Sequence, residues 1–275
     1  MKQFRSFFKT VEGNEGKKCN YPTRLDTYGC GCQHDCKYCY AKSLLDFRGM
    51  WDANEPSVAP IEEIEKVVKK LPKEVVRLGG MTDCYMPLER QVRNTRKTIE
   101  LLNKYRVPYL IVTKSALILD DIDILDKELA HIQITITTTD DNLSKTYEKA
   151  SVPSERIKAV EMLQEQGFDV SIRLSPYIPE YVNIEKINAI KCDKILVEFL
   201  RVNPFIKKWF DIDYSPYKVR RNGYQHLPLK VKKTLLEPLR FAEISVCEDE
   251  SMAYAYWKYH FNHNPDDCCN LRREL

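Results

Sequence analysis

The stretch GCGCQHDCKYCYAK, residues 29–42, packs four of the chain's ten cysteines into ten positions. Within it Cys32, Cys36 and Cys39 are spaced x3 and x2, and Tyr38 and Tyr40 flank the last of them. A run this dense is a metal site, a disulfide framework or a coincidence. The residues around it decide which.

Composition narrows the choice. At 275 residues and 43% apolar content there is material for one large α/β domain or two small ones. Lys+Arg 43 against Asp+Glu 40 leaves a formal +3, which does not announce a nucleic-acid binder but leaves room for a local basic patch. No run of about 18 apolar residues occurs, so no membrane span is expected. The N-terminal MKQFRSFFKTVEGNEGKK is polar and carries no signal-peptide core. A cytoplasmic protein with reduced thiols is therefore expected, and its cysteines argue for metal or redox chemistry over disulfides.

Outside the cysteine run, strand-like and helix-like segments alternate. TRLDTYG (23–29) reads as a strand that ends at the cysteines. EVVRLGG (74–80), PYLIVTKS (108–115), IQITITT (132–138), FDVSIRLSP (168–176) and KILVEFLRV (194–202) are β-branched or apolar runs. Helices are expected from Pro60 toward Lys70, over 87–105, near 119–130, from Pro153 and near 183–190. Six strands each followed by a helix predict right-handed crossovers and a parallel sheet curled into an incomplete (β/α)6 barrel. Residues 1–240 are read as that barrel. Residues 241–275, a strand, an aromatic helix and a tail, are read as an extension of the same domain. The aromatic helix at 254–261 reads as packing rather than a base-stacking platform.

The cysteine run sits at the C-terminal end of the first strand, where such barrels place catalytic groups. Zinc draws four ligands, commonly from two separated C-x2-C pairs, and no second pair stands nearby. Three cysteines on one loop suit a [4Fe–4S] cluster, bound through three irons with the fourth open.

Cys32-x3-Cys36-x2-Cys39, with Tyr38 before the last cysteine, resembles the signature of the radical S-adenosylmethionine (radical SAM) enzymes. CKYCYAK, GGMTDCYMPLER, VRNTRKTIELL and VTKSALILDDIDIL extend the likeness over roughly residues 20–200, toward the spore photoproduct lyase-like, DNA repair photolyase-like branch. The resemblance implies a [4Fe–4S] cluster on Cys32, Cys36 and Cys39 and S-adenosylmethionine on its open iron. It places Gly79, Gly80, Lys114 and Thr137 (or Thr138) around the cofactor; Tyr38, Thr82, Asp83, Arg173 and Ser175 are further candidates for that shell, Arg173 and Ser175 with the alternative of buried structural polar residues. Gly79 and Gly80 would lie against its amino group, and Lys114 near its carboxylate. It also implies an external one-electron reductant of flavodoxin or ferredoxin type.

Cys84, just past the second strand, is a candidate hydrogen donor to a product radical, although it falls a few residues later than the family's position. Glu198, a carboxylate in an apolar strand, needs a partner and is a second catalytic candidate. Cys247 ends a strand. The tail from Asn262 to Cys268, seven residues, can stretch about 23 Å, enough to return past a helix of about 20 Å. Cys247, Cys268 and Cys269 can thus meet as a second iron–sulfur site, a metal site or a redox pair. The expected substrate is a nucleic-acid base or nucleotide, from the resemblance and the basic segment 207–233. The alternatives are a peptide or small metabolite, and a non-catalytic electron carrier.

Overall fold

The computed structural model describes residue 4, residues 6–248 and residues 253–272. Its strands in chain order are β1 (Phe8–Thr10), β2 (Thr23–Leu25), β3 (Tyr28–Gly29), β4 (Ser57–Val58), β5 (Val76–Leu78), β6 (Tyr109–Thr113), β7 (Ala130–Thr135), β8 (Asp169–Tyr177), β9 (Lys194–Phe199), β10 (Val219–Arg221), β11 (Tyr224–His226) and β12 (Glu243–Val246). Eight of them form one sheet in the order β1-β2-β5-β6-β7-β8-β9-β12. From β2 to β12 every neighbour is parallel, and β1 is antiparallel on β2. The edges β1 and β12 do not pair, so the barrel stays open.

The central strands are nearly all β-branched or apolar, because the barrel lumen covers one face and helices cover the other. Helix Pro153–Glu165 buries Ala159, Val160 and Leu163 completely, each large aliphatic side chain contributing about 1.5–3 kcal/mol. Ile64 and Val68 of helix Ile61–Val68 face Ile99 and Leu102 of helix Asn94–Lys104 in the same core. Trp257 of helix Tyr254–His260 is buried and stacks on Phe199, ring centroids 6.4 Å apart. That element packs, as its sequence suggests.

Three expectations are corrected. The strand at 243–246, assigned to the extension, is the seventh parallel strand, paired with β9 from Glu243↔Lys194 to Val246↔Val197. The helix expected over 87–105 breaks at Arg93, whose φ is 56°. There Glu89, 1% exposed, turns its carboxylate onto the Thr95 and Arg96 amides at 2.9 and 3.0 Å and starts a new helix at Asn94. The helix expected near 119–130 is a short 3-10 turn, Ala116–Asp121. Arginines hold the acidic residues at and just past its end: Arg93 and Arg96 pair with Asp121 at 2.8 and 3.1 Å, and Arg96 also pairs with Asp123.

Candidate active site

Alternate residues of successive strands line one cavity of about 870 Å³: Arg24 and Asp26, Arg77 and Gly79, Leu110 and Val112, Gln133 and Thr135, Arg173 and Ser175. The period of two is the signature of a lumen-facing strand surface. Ten Lys or Arg and four Asp or Glu line this space. The near-neutral chain therefore concentrates positive charge around its barrel mouth.

The cysteine loop closes one end of that cavity. Gly31 must be glycine: its φ is 156°, and a Cβ there would stand 1.8 Å from the Asp52 carbonyl oxygen. The loop is pinned by Lys37 N donating to the Tyr147 carbonyl (2.9 Å) and Lys149 N to the His34 carbonyl (2.7 Å). Cys32, Cys36 and Cys39 all line the cavity. Cys39 caps helix Tyr40–Leu45, its Sγ accepting from Lys42 N at 3.4 Å. Burial, reinforced by the Asp83 charge, pushes the Cys32 thiol up to about 12. Burial likewise raises Cys36, with Glu148 adding to it, and raises Cys39. Thiols so placed ionise only when a cation arrives, so iron binding would release their protons. No three His, Cys, Asp or Glu side chains converge on a single-ion site among the described residues. A cubane takes its thiolates on separate irons and needs no such convergence, so the donor set fits a [4Fe–4S] cluster.

Against the loop, the strand ends are tied together by Asp83. Its carboxylate accepts from Thr113 Oγ1 and Lys114 N, both at 2.7 Å, and lies 3.4 Å from His34 Nε2. Burial works to raise its pKa, but His34 and these donors hold it at about 2. Asp26 similarly accepts from the Gly80 and Met81 amides at 2.7 and 3.0 Å. Gly79 has φ 83° and would place a Cβ 2.6 Å from the Val112 carbonyl. Only glycine lets the backbone turn here. Gly80's carbonyl accepts from the Tyr40 hydroxyl, and Thr82 Oγ1 donates to the Tyr28 carbonyl at 2.6 Å. Lys114 sets its ammonium 5.6 Å from the centre of the Tyr38 ring, on the cavity wall.

Along the same cavity wall, Glu198 is the hub. It accepts from Arg173 (2.7 Å), Ser175 (2.8 Å) and Arg201 (3.1 Å), and Arg173 also donates to Gln133 at 2.9 Å. Burial opposes ionisation, yet Arg173 and Arg201 keep its carboxyl at about 2. An acid held that low is a fixed negative charge, not a proton carrier near neutral pH.

Two expected residues lie elsewhere. Cys84 is 1% exposed and does not line the cavity; its carbonyl accepts from Thr95 Oγ1 at 2.5 Å, which holds its turn inside the core. Thr137 is fully buried against the Tyr147 hydroxyl (2.8 Å), and Thr138 Oγ1 accepts from Asp140 N. Thr135, one lumen-facing step earlier, takes the place on the cavity wall. Sequence reasoning also missed Glu148, 4% exposed, which pairs with Arg156, accepts from the Tyr38 hydroxyl and lies 3.9 Å from Cys36 Sγ. Nothing in its local sequence, TYEKAS, marks it. Arg24, Arg77 and Gln133 were also missed. A polar residue between apolar neighbours, as in VRL and IQI, was the available signal.

Residues 27–190 match the family model of the Radical SAM superfamily, and the chain belongs to that superfamily of enzymes. An uncharacterized protein of Methanocaldococcus jannaschii is 33% identical over 162 residues, covering 57% of this chain and 61% of the relative. The chain spans about three fifths of the length of the curated relatives it matches. The fold is similar to that of spore photoproduct lyase solved with dinucleoside spore photoproduct: TM-score 0.64, 14% identity, 86% of this chain and 76% of that one. It is also similar to Streptococcus suis SuiB bound to its precursor peptide SuiA: TM-score 0.57, 14% identity, 83% and 49% coverage. No helix among the described residues is long and apolar enough to cross a membrane.

Proposed function

We propose that this chain is a radical SAM enzyme whose substrate is a nucleic-acid base or nucleotide. The observation that carries the reading is the single cavity shared by the thiols of Cys32, Cys36 and Cys39, the Gly79–Gly80 turn and Lys114. When bound, the [4Fe–4S] cluster and S-adenosylmethionine supply reductive cleavage of the sulfonium and a carbon radical that abstracts hydrogen. Cys32, Cys36 and Cys39 hold the cluster. Gly79 gives the turn that brings backbone close to the cofactor, and Lys114 pairs with its carboxylate. Asp83 fixes the turn and the lysine relative to one another. Tyr38, on the cavity wall, packs on Tyr147 and Phe210 at 5.7 and 5.8 Å between centroids, an apolar backing to the cysteine loop. An external one-electron donor of flavodoxin or ferredoxin type completes the system.

The substrate reading rests on charge. Beside the cavity, the β10–β11 hairpin turns through Asn222 and Gly223 and carries Arg220 and Arg221. With Lys207 these residues line a second hollow, and Asn222 and Tyr224 are shared with the main cavity. A phosphate backbone crossing there would reach the mouth with its base toward the lumen. Single-stranded or damaged DNA should bind better than intact duplex, because the base must leave its stack. Log affinity should fall by about 0.7 to 0.9 per neutralised phosphate against log salt, and Arg220→Ala with Arg221→Ala should flatten that slope by roughly one to two units. Binding that ignores salt would count against a nucleic acid and favour a peptide or small metabolite.

A further inference from the structure

The open seam between the two sheet edges carries four thiols that the radical site does not use. Cys19 precedes β2, Cys247 follows β12, and Cys268 and Cys269 lie in the tail; all four line the main cavity. They form a ring of neighbours. Cys247 and Cys269 are electrostatic neighbours of both Cys19 and Cys268, and each helps to raise those two thiols. The sequence brings only the last three into view, because Cys19 is 228 positions from Cys247 along the chain.

The backbone around the ring is built rather than loose. Asn262 clasps β12, its side chain accepting from Val246 N at 2.8 Å and donating to the Val246 carbonyl at 3.2 Å. Asp267, fully buried, accepts from Cys269 N at 2.9 Å and from the Tyr21 hydroxyl, while Asn20 donates to the Asp266 carbonyl. The segment before β2 is thereby fastened to the tail beside β12. Arg77 favours the Cys19 thiolate and Arg173 the Cys269 thiolate, which Asp267 opposes.

We propose that Cys19, Cys247, Cys268 and Cys269 bind a second [4Fe–4S] cluster that staples the open seam of the barrel. The choice of a cluster over zinc follows from geometry and charge. Vicinal thiolates such as Cys268 and Cys269 strain a single ion, whereas a cubane offers four separate metal corners. Neither this ring nor the Cys32–Cys36–Cys39 triad presents a single-ion site. A cubane with four thiolates is anionic, and Arg77 and Arg173, the latter already paired with Glu198, line the same cavity. With four protein ligands it has no open iron, so it does not duplicate the first site. Its folding role is mass action: metal that binds only the closed seam stabilises the folded chain.

The test is independent of S-adenosylmethionine cleavage. A Cys32→Ala, Cys36→Ala, Cys39→Ala protein, reconstituted anaerobically with iron and sulfide, should keep about four irons and four sulfides, and wild type should bind about eight irons. Mössbauer spectra of the triple variant should show one [4Fe–4S] species, and loading should raise its thermal midpoint. Adding Cys247→Ser and Cys268→Ser should remove that iron. In the wild-type background the same pair should leave about four irons. If the pair prevents folding, Cys19→Ser in the triple variant serves instead and should bring the iron content below four. A triple variant that binds no iron, takes up zinc in its place, or holds a Cys247–Cys268 disulfide after anaerobic reconstitution overturns the proposal. Those results would leave the proposed radical chemistry standing.

Discussion

Glu148 and Arg156 are withdrawn from water together, at 1% and 0% side-chain exposure, beside a cluster-loop cysteine. Burial opposes the carboxylate's charge, and Arg156 and Lys114 more than offset it, so its pKa is lowered. Removing one partner strands the other, which costs about 3–5 kcal/mol for a buried pair. Glu148→Ala should therefore lose about that much in urea unfolding of the metal-free protein. A change under about 0.5 kcal/mol would show the pair to be dispensable. Lys114 makes a different kind of contribution. If it pairs with the cofactor's carboxylate, Lys114→Ala should weaken S-adenosylmethionine binding by about tenfold or more, the size of a charge-assisted contact. Calorimetry of the reconstituted protein reads this, and unchanged affinity would remove Lys114 from the cofactor's surroundings.

The elements show what the sequence could and could not reveal. Strands β5 to β9 were legible because each is a compact β-branched run followed by a helix signal, and their order fixed which ends face the cavity. The triad was legible because its spacing is local. Glu148 and Cys19 were not, since each reaches the cavity region only through tertiary packing that no periodicity encodes. The break at Arg93 belongs with these. It depends on Glu89 capping Thr95 and Arg96 while accepting from the Tyr28 hydroxyl, a contact across 61 residues. Glu89→Ala should lose about 2–3 kcal/mol, the loss of a cap together with an unpaired buried hydroxyl. Hydrogen exchange at the Thr95 and Arg96 amides should rise with it. If those amides stay protected, the cap is not what starts the helix.

Across the whole molecule, Asp169 binds the open barrel together. It meets His131 of β7 at 2.5 Å, Lys194 of β9 at 2.8 Å and the Arg272 amide of the tail at 2.8 Å. Burial works to raise its pKa, but these partners bring it from 3.8 to about 2. A depressed carboxylate adds stability above its unfolded pKa and gives it up as pH falls through the folded one, here about 2 kcal/mol lost between roughly pH 4 and pH 2. Asp169→Asn should be less stable at pH 7 and should lose less over that acid range; parallel pH profiles for the two proteins would refute the role. The central claim is that this cavity runs radical chemistry from the Cys32–Cys36–Cys39 cluster. The most direct measurement is 5′-deoxyadenosine and methionine release from S-adenosylmethionine by anaerobically reconstituted protein with a strong reductant. Wild type should release both, and Cys36→Ala should release neither, because one iron loses its thiolate. Cleavage by the Cys36→Ala protein at the wild-type rate would contradict the account.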